Sequence, residues 1–497
     1  MKALLMFRDK DFNLQTESCF GHETLMADLE LKRILTVMAR GDEIILSACS
    51  FALFNPLQSI EEIRYRQENL QDALSNPAAI RRLYEITIET FQRKKSSWYH
   101  LGSHYLSSTF SSAIELLKIY TAMLMELRLV ADSSLHSFWF DGFKNLLAMI
   151  QLELDDDYFA EVRAHLDDLK SRDGTLISAV PGDCLEGINY VLRRKKRKNF
   201  WRRWHFSPSF TIAPRDDAGA RDLENRKDRA INGAANALAQ SAEHLEHFFT
   251  MLRSELAFYV GCLNLSDSLR LLGLPICIPR LTPADMNSRT WQGLYDISLA
   301  LLKNTSVVRN RLEANDKHLY IITGANQGGK STFLRSIGQA QLMAQCGMFV
   351  GAKNFIAPVR YGIFSHFKKE EDAAMKSGKL DEELSRMNEI AGHLQNGSFI
   401  LFNESFASTN EREGSEICRQ ITQALIENGV EVFSVTHLYT YASAFLDNNK
   451  TQYLWAERLD NNERTFKIIP GEPMQTAFGM DLYEKIFCKT EWGTMDN

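Results

Sequence analysis

Long hydrophobic runs are missing from this 497-residue sequence: no stretch of about 18 uncharged apolar residues occurs, so it offers no helical membrane span. Paired cysteines are missing as well. The thiols at positions 19, 49, 184, 262, 277, 346, 418 and 488 form no CxxC pair and no tight group with histidine. That excludes a zinc knuckle and a redox motif, and the expectation is buried thiols in a reducing compartment. At the start, Arg8, Asp9 and Lys10 cut the apolar run too short for a secretory leader, so a cytoplasmic protein is expected. A surplus of positive charge is also absent. With 57 Lys and Arg against 63 Asp and Glu the net charge is -6, which does not announce a nucleic-acid binder. Net charge governs solubility, however, and leaves a local basic surface open. Hydrophobic residues at 45% and charged residues at 24% exclude a disordered, collagenous or disulfide-stapled chain, and no fixed-period repeat is present.

What is present is enough chain for two or three domains. Residues 24–170 read as mostly helical, with apolar stripes such as Leu31, Ile34, Leu35 and Met38, then Ile80, Leu83, Tyr84, Ile88 and Phe91. A second helical tract is expected over 221–273, with Leu238, Ala239, Leu245, Phe248, Phe249, Leu252, Leu256 and Val260 on its apolar face. Between them, residues 171–220 have a different texture. Gly174, Pro181, Gly182, Pro208, Pro214 and Gly219 punctuate short segments such as SFTIA that favour strand, so this region reads as an insertion. It carries Arg193, Arg194, Lys195, Lys196, Arg197, Lys198, Arg202 and Arg203 among Phe200, Trp201 and Trp204. Clustered cations beside aromatics suit DNA phosphates and bases; a solvated helix end whose tryptophans cap a small core fits equally well. After about residue 300 the runs HLYIIT, FILF and EVFSVT, separated by glycine-bearing loops, point to an α/β sheet covered on both faces.

The chemistry concentrates in this last part. Gly324, Ala325, Asn326, Gln327, Gly328, Gly329, Lys330, Ser331 and Thr332 follow an apolar run and precede a helix-compatible stretch, which is the context a phosphate-binding loop requires. Glycines let backbone amides turn toward phosphates, Lys330 would meet the terminal phosphates of ATP, and Ser331 would ligate Mg2+. Next, the run Phe399 to Phe402 ends in Asn403 and Glu404, where such a fold needs its metal and water-activating groups. Glu404 is the candidate general base, although a helix cap would use the same residue. His437 closes a further apolar run and could reach the terminal phosphate; taken by itself it reads as a loop histidine.

Taken in order, IITGANQGGKSTFLRSIG, GIFSHFKKEEDAAMKSGKLDEELSRMNEIAGHL, ILFNESFASTNEREGSEI and SVTHLYTYA resemble the ATPase domain of the MutS DNA mismatch repair family. TQYLWAERL and RTFKIIPG then read as paired strands, and QTAFGMDLYEKI resembles the helix that closes this domain. Upstream, the stretch from ADLELKRIL to RQENLQDAL resembles the start of the family's core. The resemblance implies an α+α/β fold: residues 1–290 as a helical core with lever helices and a clamp-like basic insertion, and residues 291–497 as an ABC-type P-loop ATPase. It also implies a homodimer, ATP and Mg2+ as cofactors, DNA as partner, and catalytic roles for Glu404 and His437 with Ser331, Asn403 and Glu404 near the metal. Departures accompany it. The family has Asp where this chain has Asn403, so weaker metal binding and slow hydrolysis are expected. The loop Ser405 to Asn410 lacks the family's glycines, and the serine that acts on the second subunit aligns near Leu380 and Asp381 without a counterpart. Nothing resembles the mismatch-reading domain or a nuclease domain, so mismatch specificity is not implied. A nucleotide-sensing scaffold that recruits proteins and hydrolyses little is the alternative that Asn403 motivates. A small-molecule kinase fits poorly, because a long helical half is poor material for a substrate lid.

Overall fold

The computed structural model describes residues 1–14, 19–98, 106–169, 176–184, 186–193, 210–325, 327–369, 378–458 and 464–473. In chain order the helices are α1 (His22–Asp28), α2 (Leu31–Ala39), α3 (Glu43–Phe54), α4 (Ile60–Ser75), α5 (Pro77–Trp98), α6 (Leu106–Ser134), α7 (Asp141–Glu153), α8 (Asp156–Leu169) and α9 (Asp217–Leu271). A two-stranded ribbon, β1 (Ile177–Pro181) and β2 (Gly187–Leu192), stands between α8 and α9. There follow β3 (Arg280–Thr282), β4 (Ser288–Leu294), α10 (Ile297–Lys303), β5 (Asn310–Asn315), β6 (Leu319–Thr323), α11 (Lys330–Gln345), β7 (Asn354–Pro358) and β8 (Ile363–Phe367). The remaining elements are α12 (Lys379–Ala391), β9 (Phe399–Asn403), α13 (Glu411–Glu427), β10 (Glu431–Val435), α14 (Tyr439–Ser443), β11 (Thr451–Arg458) and β12 (Arg464–Pro470). The chain thus mixes helix and sheet. Among the described residues no helix is long and apolar enough to cross a membrane.

Contacts divide the chain into two compact units. The first comprises Met1–Leu5, Asp9–Phe12 and Ser75–Leu256, and it is almost entirely helical. In α5 the buried stripe keeps Ile80, Leu83 and Tyr84 but then turns onto Thr87 and Thr90, leaving Ile88 and Phe91 half-exposed. Threonines can be buried there because their hydroxyls bond back to the carbonyls of Tyr84 and Ile86, at 2.6 and 2.7 Å. Tyr120 of α6 stacks on Phe249 of α9, with ring centroids 5.8 Å apart. Along α9 the predicted face is only half-buried at Leu238, Ala239 and Leu245 and becomes fully buried from Phe248 onward. The insertion does contain strands, but at β1 and β2; the described part of SFTIA is not strand. Pro208 and Pro214 bracket that segment, and proline supplies no amide to a ladder.

The second unit comprises Met6–Arg8, Asn13–Leu74 and Ala257–Asn497. Its stripe Leu31, Ile34, Leu35 and Met38 on α2 is buried as the periodicity predicts. Two sheets form its frame: a four-stranded sheet ordered β3-β7-β4-β5 and a six-stranded sheet ordered β12-β11-β6-β10-β9-β8. In the larger sheet β8, β9, β10, β6 and β11 run parallel, and β12 closes the edge antiparallel to β11. Every residue of β6, β8 and β10 is buried, as a sheet covered on both faces demands. Leu319, Ile321, Ile400, Phe402 and Val432 face a core shared with Met387, Cys418, Leu425 and Tyr441 from α12, α13 and α14. On the opposite face Tyr320 stacks on Phe433 at 3.9 Å, and Trp291 of β4 packs near Phe433 and Phe333 of α11. Of the cysteines, 49, 262, 346 and 418 are buried as expected, 19 and 277 are half-buried, and Cys184 on the ribbon turn is exposed because a two-stranded ribbon has no interior; Cys488 lies outside the described residues.

Candidate functional site

The register of the large sheet explains why residues far apart in sequence meet. Val435 of β10 pairs with Ile322 of β6 on one side and Asn403 of β9 on the other, so the three strands end together. The chain leaves β6 for the outer strand β8, returns inward through β9 and β10, and then crosses to β11 on the far side of β6. A reversal of this kind opens a crevice at the carboxyl ends of the strands. Into it lead the Gly324–Ser331 loop, Asn403 with Glu404, and His437.

The loop is shaped by close packing. A methyl group at Gly328 would lie 2.8 Å from the Ala456 side chain and 2.9 Å from the Ala325 carbonyl, and Gly324 combines φ 115° with a similar clash against the Ala456 amide. Only glycine fits where β11 presses this closely. Gly329 caps α11, so the first amides of that helix and its positive end face the loop. Lys330 is buried and its ammonium donates to the carbonyls of Gly324 and Ala325 at 2.8 and 3.0 Å. Burial lowers its pKa, Glu404 acts in the opposite sense, and Arg464 adds to the lowering.

Beside the lysine, the Ser331 hydroxyl donates to Asn403 Oδ1 at 2.9 Å, which brings the two neutral metal-ligand candidates together. Glu404 follows immediately, and His437 Nδ1 donates to its Oε2. Burial pushes the Glu404 carboxyl up, but the hydrogen bond and charge of His437, with Lys330 and Lys368, outweigh it and hold the pKa below the ordinary value. The same hydrogen bond raises His437 despite its partial burial. A carboxylate, a lysine, a hydroxyl and a paired imidazole therefore share one crevice, which continues into a cavity of about 550 Å3. Gln327, Gly328, Gly329, Lys330, Ser331, Thr332 and Glu404 line the cavity together with Leu299, Lys303, Val307, Val308 and Phe466.

Asn326 lies outside the described residues, as do Arg194, Lys195, Lys196, Arg197, Lys198, Arg202 and Arg203 and the QTAFGMDLYEKI segment. Arg193 is described: it is exposed at the end of β2 and donates to Ser178 Oγ at 2.8 Å. TQYLWAERL and RTFKIIPG do pair, as the antiparallel strands β11 and β12. Nothing in the sequence indicated that Phe466 of this hairpin and residues such as Leu299, Val307 and Val308 line the cavity beside the phosphate loop. Arg464 of β12 donates to Gln327 Oε1 at 2.9 Å, and Phe466 packs against Gly329. No local spacing signals a partner 137 positions away.

The MutS domain V model matches residues 320–488, which hold the whole strand-end cluster, and the MutS2 N-terminal domain model matches residues 58–272. The DNA mismatch repair protein MutS of Thermotoga maritima is 37% identical over 123 residues, 25% of this chain and 16% of that protein. Endonuclease MutS2 of Thermus thermophilus is 30% identical over 132 residues, 26% of this chain and 18% of that protein. The human MutS protein homolog 4 is 25% identical over 202 residues, 39% of this chain and 22% of that protein. The chain thus matches about a fifth of the length of each of these relatives. With its strand-end cluster inside one family domain and its long helices inside another, the chain belongs to the MutS family.

Proposed function

We propose that the chain is an ATP-dependent DNA-binding protein, in which ATP binding and hydrolysis at the Gly324–Ser331 loop control how the helical part holds DNA during repair or recombination. The observation that carries this reading is the convergence of loop, Ser331–Asn403 pair and Glu404–His437 pair on one crevice. Residues 291–497 act as the ABC-type ATPase head, residues 1–290 as the core, and α9 as a lever helix. The residues fit the nucleotide. Lys330 exchanges its carbonyl contacts for the terminal phosphates, and Leu299, Val307, Val308 and Phe466 offer an apolar wall for a base. Ser331 and Asn403, joined by their hydrogen bond, would hold Mg2+, which would supply a positive centre to offset phosphate charge. Glu404, kept ionised by its surroundings, orients water and accepts its proton, and His437 holds the carboxylate in place. Arg193 and the basic run after it make salt-sensitive phosphate contacts with DNA. Two copies assemble as a homodimer, as heads of this class do.

The test is Mg2+-dependent ATP turnover by the purified chain, with Lys330→Ala and Glu404→Gln as comparisons. Turnover that Glu404→Gln abolishes while ATP still binds is expected; undiminished turnover in Glu404→Gln overturns the assignment of the base. Asn403 favours a second reading, a nucleotide-sensing scaffold, since a neutral amide replaces a metal-binding carboxylate. Brisk wild-type turnover counts against it.

A further inference from the structure

Glu404 sits on a turn that its own residues do not favour. Glu404 and Phe406 have left-handed backbones, with φ 55° and 58°, a conformation non-glycine residues keep only when their surroundings impose it. The loop has no glycine to relieve this, so neighbours must hold it. Gly414 of α13 allows one close approach, since a methyl there would lie 2.5 Å from the Phe406 carbonyl. The other restraints are polar. The Ser405 hydroxyl donates to the His366 carbonyl on β8 at 2.6 Å, and its oxygen is 2.9 Å from His366 Nδ1. The Ser408 hydroxyl donates to Glu383 Oε1 of α12 at 2.8 Å.

His366 joins the two restraints. Its Nε2 lies 3.0 Å from the Glu383 carbonyl and 3.1 Å from Arg386 Nη2, both on α12, and its ring stacks on Phe406 at 5.1 Å. With the proton on Nδ1 the ring donates to Ser405 and accepts from Arg386. The one proton of the Ser405 hydroxyl is already given to the His366 carbonyl, so Nδ1 must be the donor to Ser405, and the Nδ1-protonated tautomer bridges the turn to α12. Burial first, and then Arg386, push the pKa of His366 down to about 4, so the ring stays neutral and acts as a fixed bridge.

We propose that His366, Glu383, Ser405 and Ser408 form a positioning network that ties the Glu404 turn to α12, so that the placement of Glu404 follows the placement of that helix. This rests on the reading of Glu404 as the base of ATP hydrolysis. None of the four lines the cavity beside the phosphate loop, so the network governs turnover rather than ATP binding.

The experiment compares Ser408→Ala, Ser408→Thr, Glu383→Gln and the double variant Ser408→Ala with Glu383→Gln. Expected are a kcat lower by about tenfold in Ser408→Ala, as for a displaced catalytic group, with an unchanged KM for ATP. Ser408→Thr restores the rate, and the double variant is no worse than the poorer single, as coupled residues require. Amide hydrogen exchange supplies the readout that does not need hydrolysis: Ser408→Ala speeds exchange at 404–409 and at 379–386 together. Unchanged kcat in Ser408→Ala, a KM that rises with the loss of rate, or faster exchange confined to 404–409 each overturns the network. Wild-type protein that binds ATP without turning it over would instead sink the reading of Glu404, and the exchange data would still decide whether turn and helix are tied.

Discussion

Replacing Glu431 with glutamine should destabilise the chain by about 3–5 kcal/mol, the cost of leaving buried charge without its counterion. Glu431 opens β10 and is 1% exposed; Arg289 and Arg360, its partners, are 0% and 2% exposed. Arg289 donates through Nε and Nη2 to the two carboxylate oxygens, each at 2.6 Å, and Arg360 Nε donates to Oε2 at 2.8 Å. The Arg289 guanidinium also lies 5.0 Å from the Phe399 ring and 5.5 Å from the Phe433 ring, where water cannot solvate it. Glutamine keeps one acceptor, turns an NH2 toward a cation and strands two guanidiniums. Arg360→Met makes an informative contrast. It leaves the Arg289–Glu431 pair neutral and doubly bonded, so it should cost less, although it removes the donor to Asn287 Oδ1. Urea denaturation at constant m-value measures both. A cost below about 1 kcal/mol for Glu431→Gln, or a larger cost for Arg360→Met, would refute the reasoning. Acid adds a second check. Burial pushes the Glu431 pKa up, but Arg289 and then Arg360 overcome this and bring it below its ordinary 4.5. Its contribution is therefore complete above that pH and lost as pH falls through the lower folded value; Glu431→Gln should flatten that limb.

Three further outcomes are expected. Gly328→Ala should lower ATP affinity by about tenfold in calorimetric titration, since the methyl meets Ala456 and the Ala325 carbonyl and the loop must shift. Asn403→Asp should lower the Mg2+ concentration for half-maximal turnover by about tenfold, because it places a carboxylate beside Ser331. The alkaline limb of turnover should lie above pH 6.5, the ordinary histidine value, because Glu404 raises His437; the charged form that holds the base is present below the raised pKa, and His437→Gln should remove the limb.

The site was legible where its signal is local. A loop of fixed spacing between an apolar run and a helix, and two more apolar runs ending in Asn403, Glu404 and His437, can be read from neighbours alone. So can β6, β9 and β10, whose side chains are buried almost without interruption. The failures have one physical source, long-range pairing. Glu431 looks like a solvated charge until Arg289 and Arg360, 142 and 71 positions away, surround it. Ala456 and Phe466 shape the loop from a hairpin more than a hundred residues downstream. Thr87 and Thr90 entered the core because backbone carbonyls satisfy their hydroxyls, which a count of apolar residues ignores. No periodicity indicated that residues 13–74 group with the C-terminal half.

ATP-gated DNA binding is tested by titrating the purified chain with matched, mismatched and branched duplexes across a salt series, with and without ATP and Mg2+. Binding should weaken steeply with salt and change when ATP is added. Absence of binding at low salt, or binding indifferent to ATP, would contradict ATP-gated DNA binding.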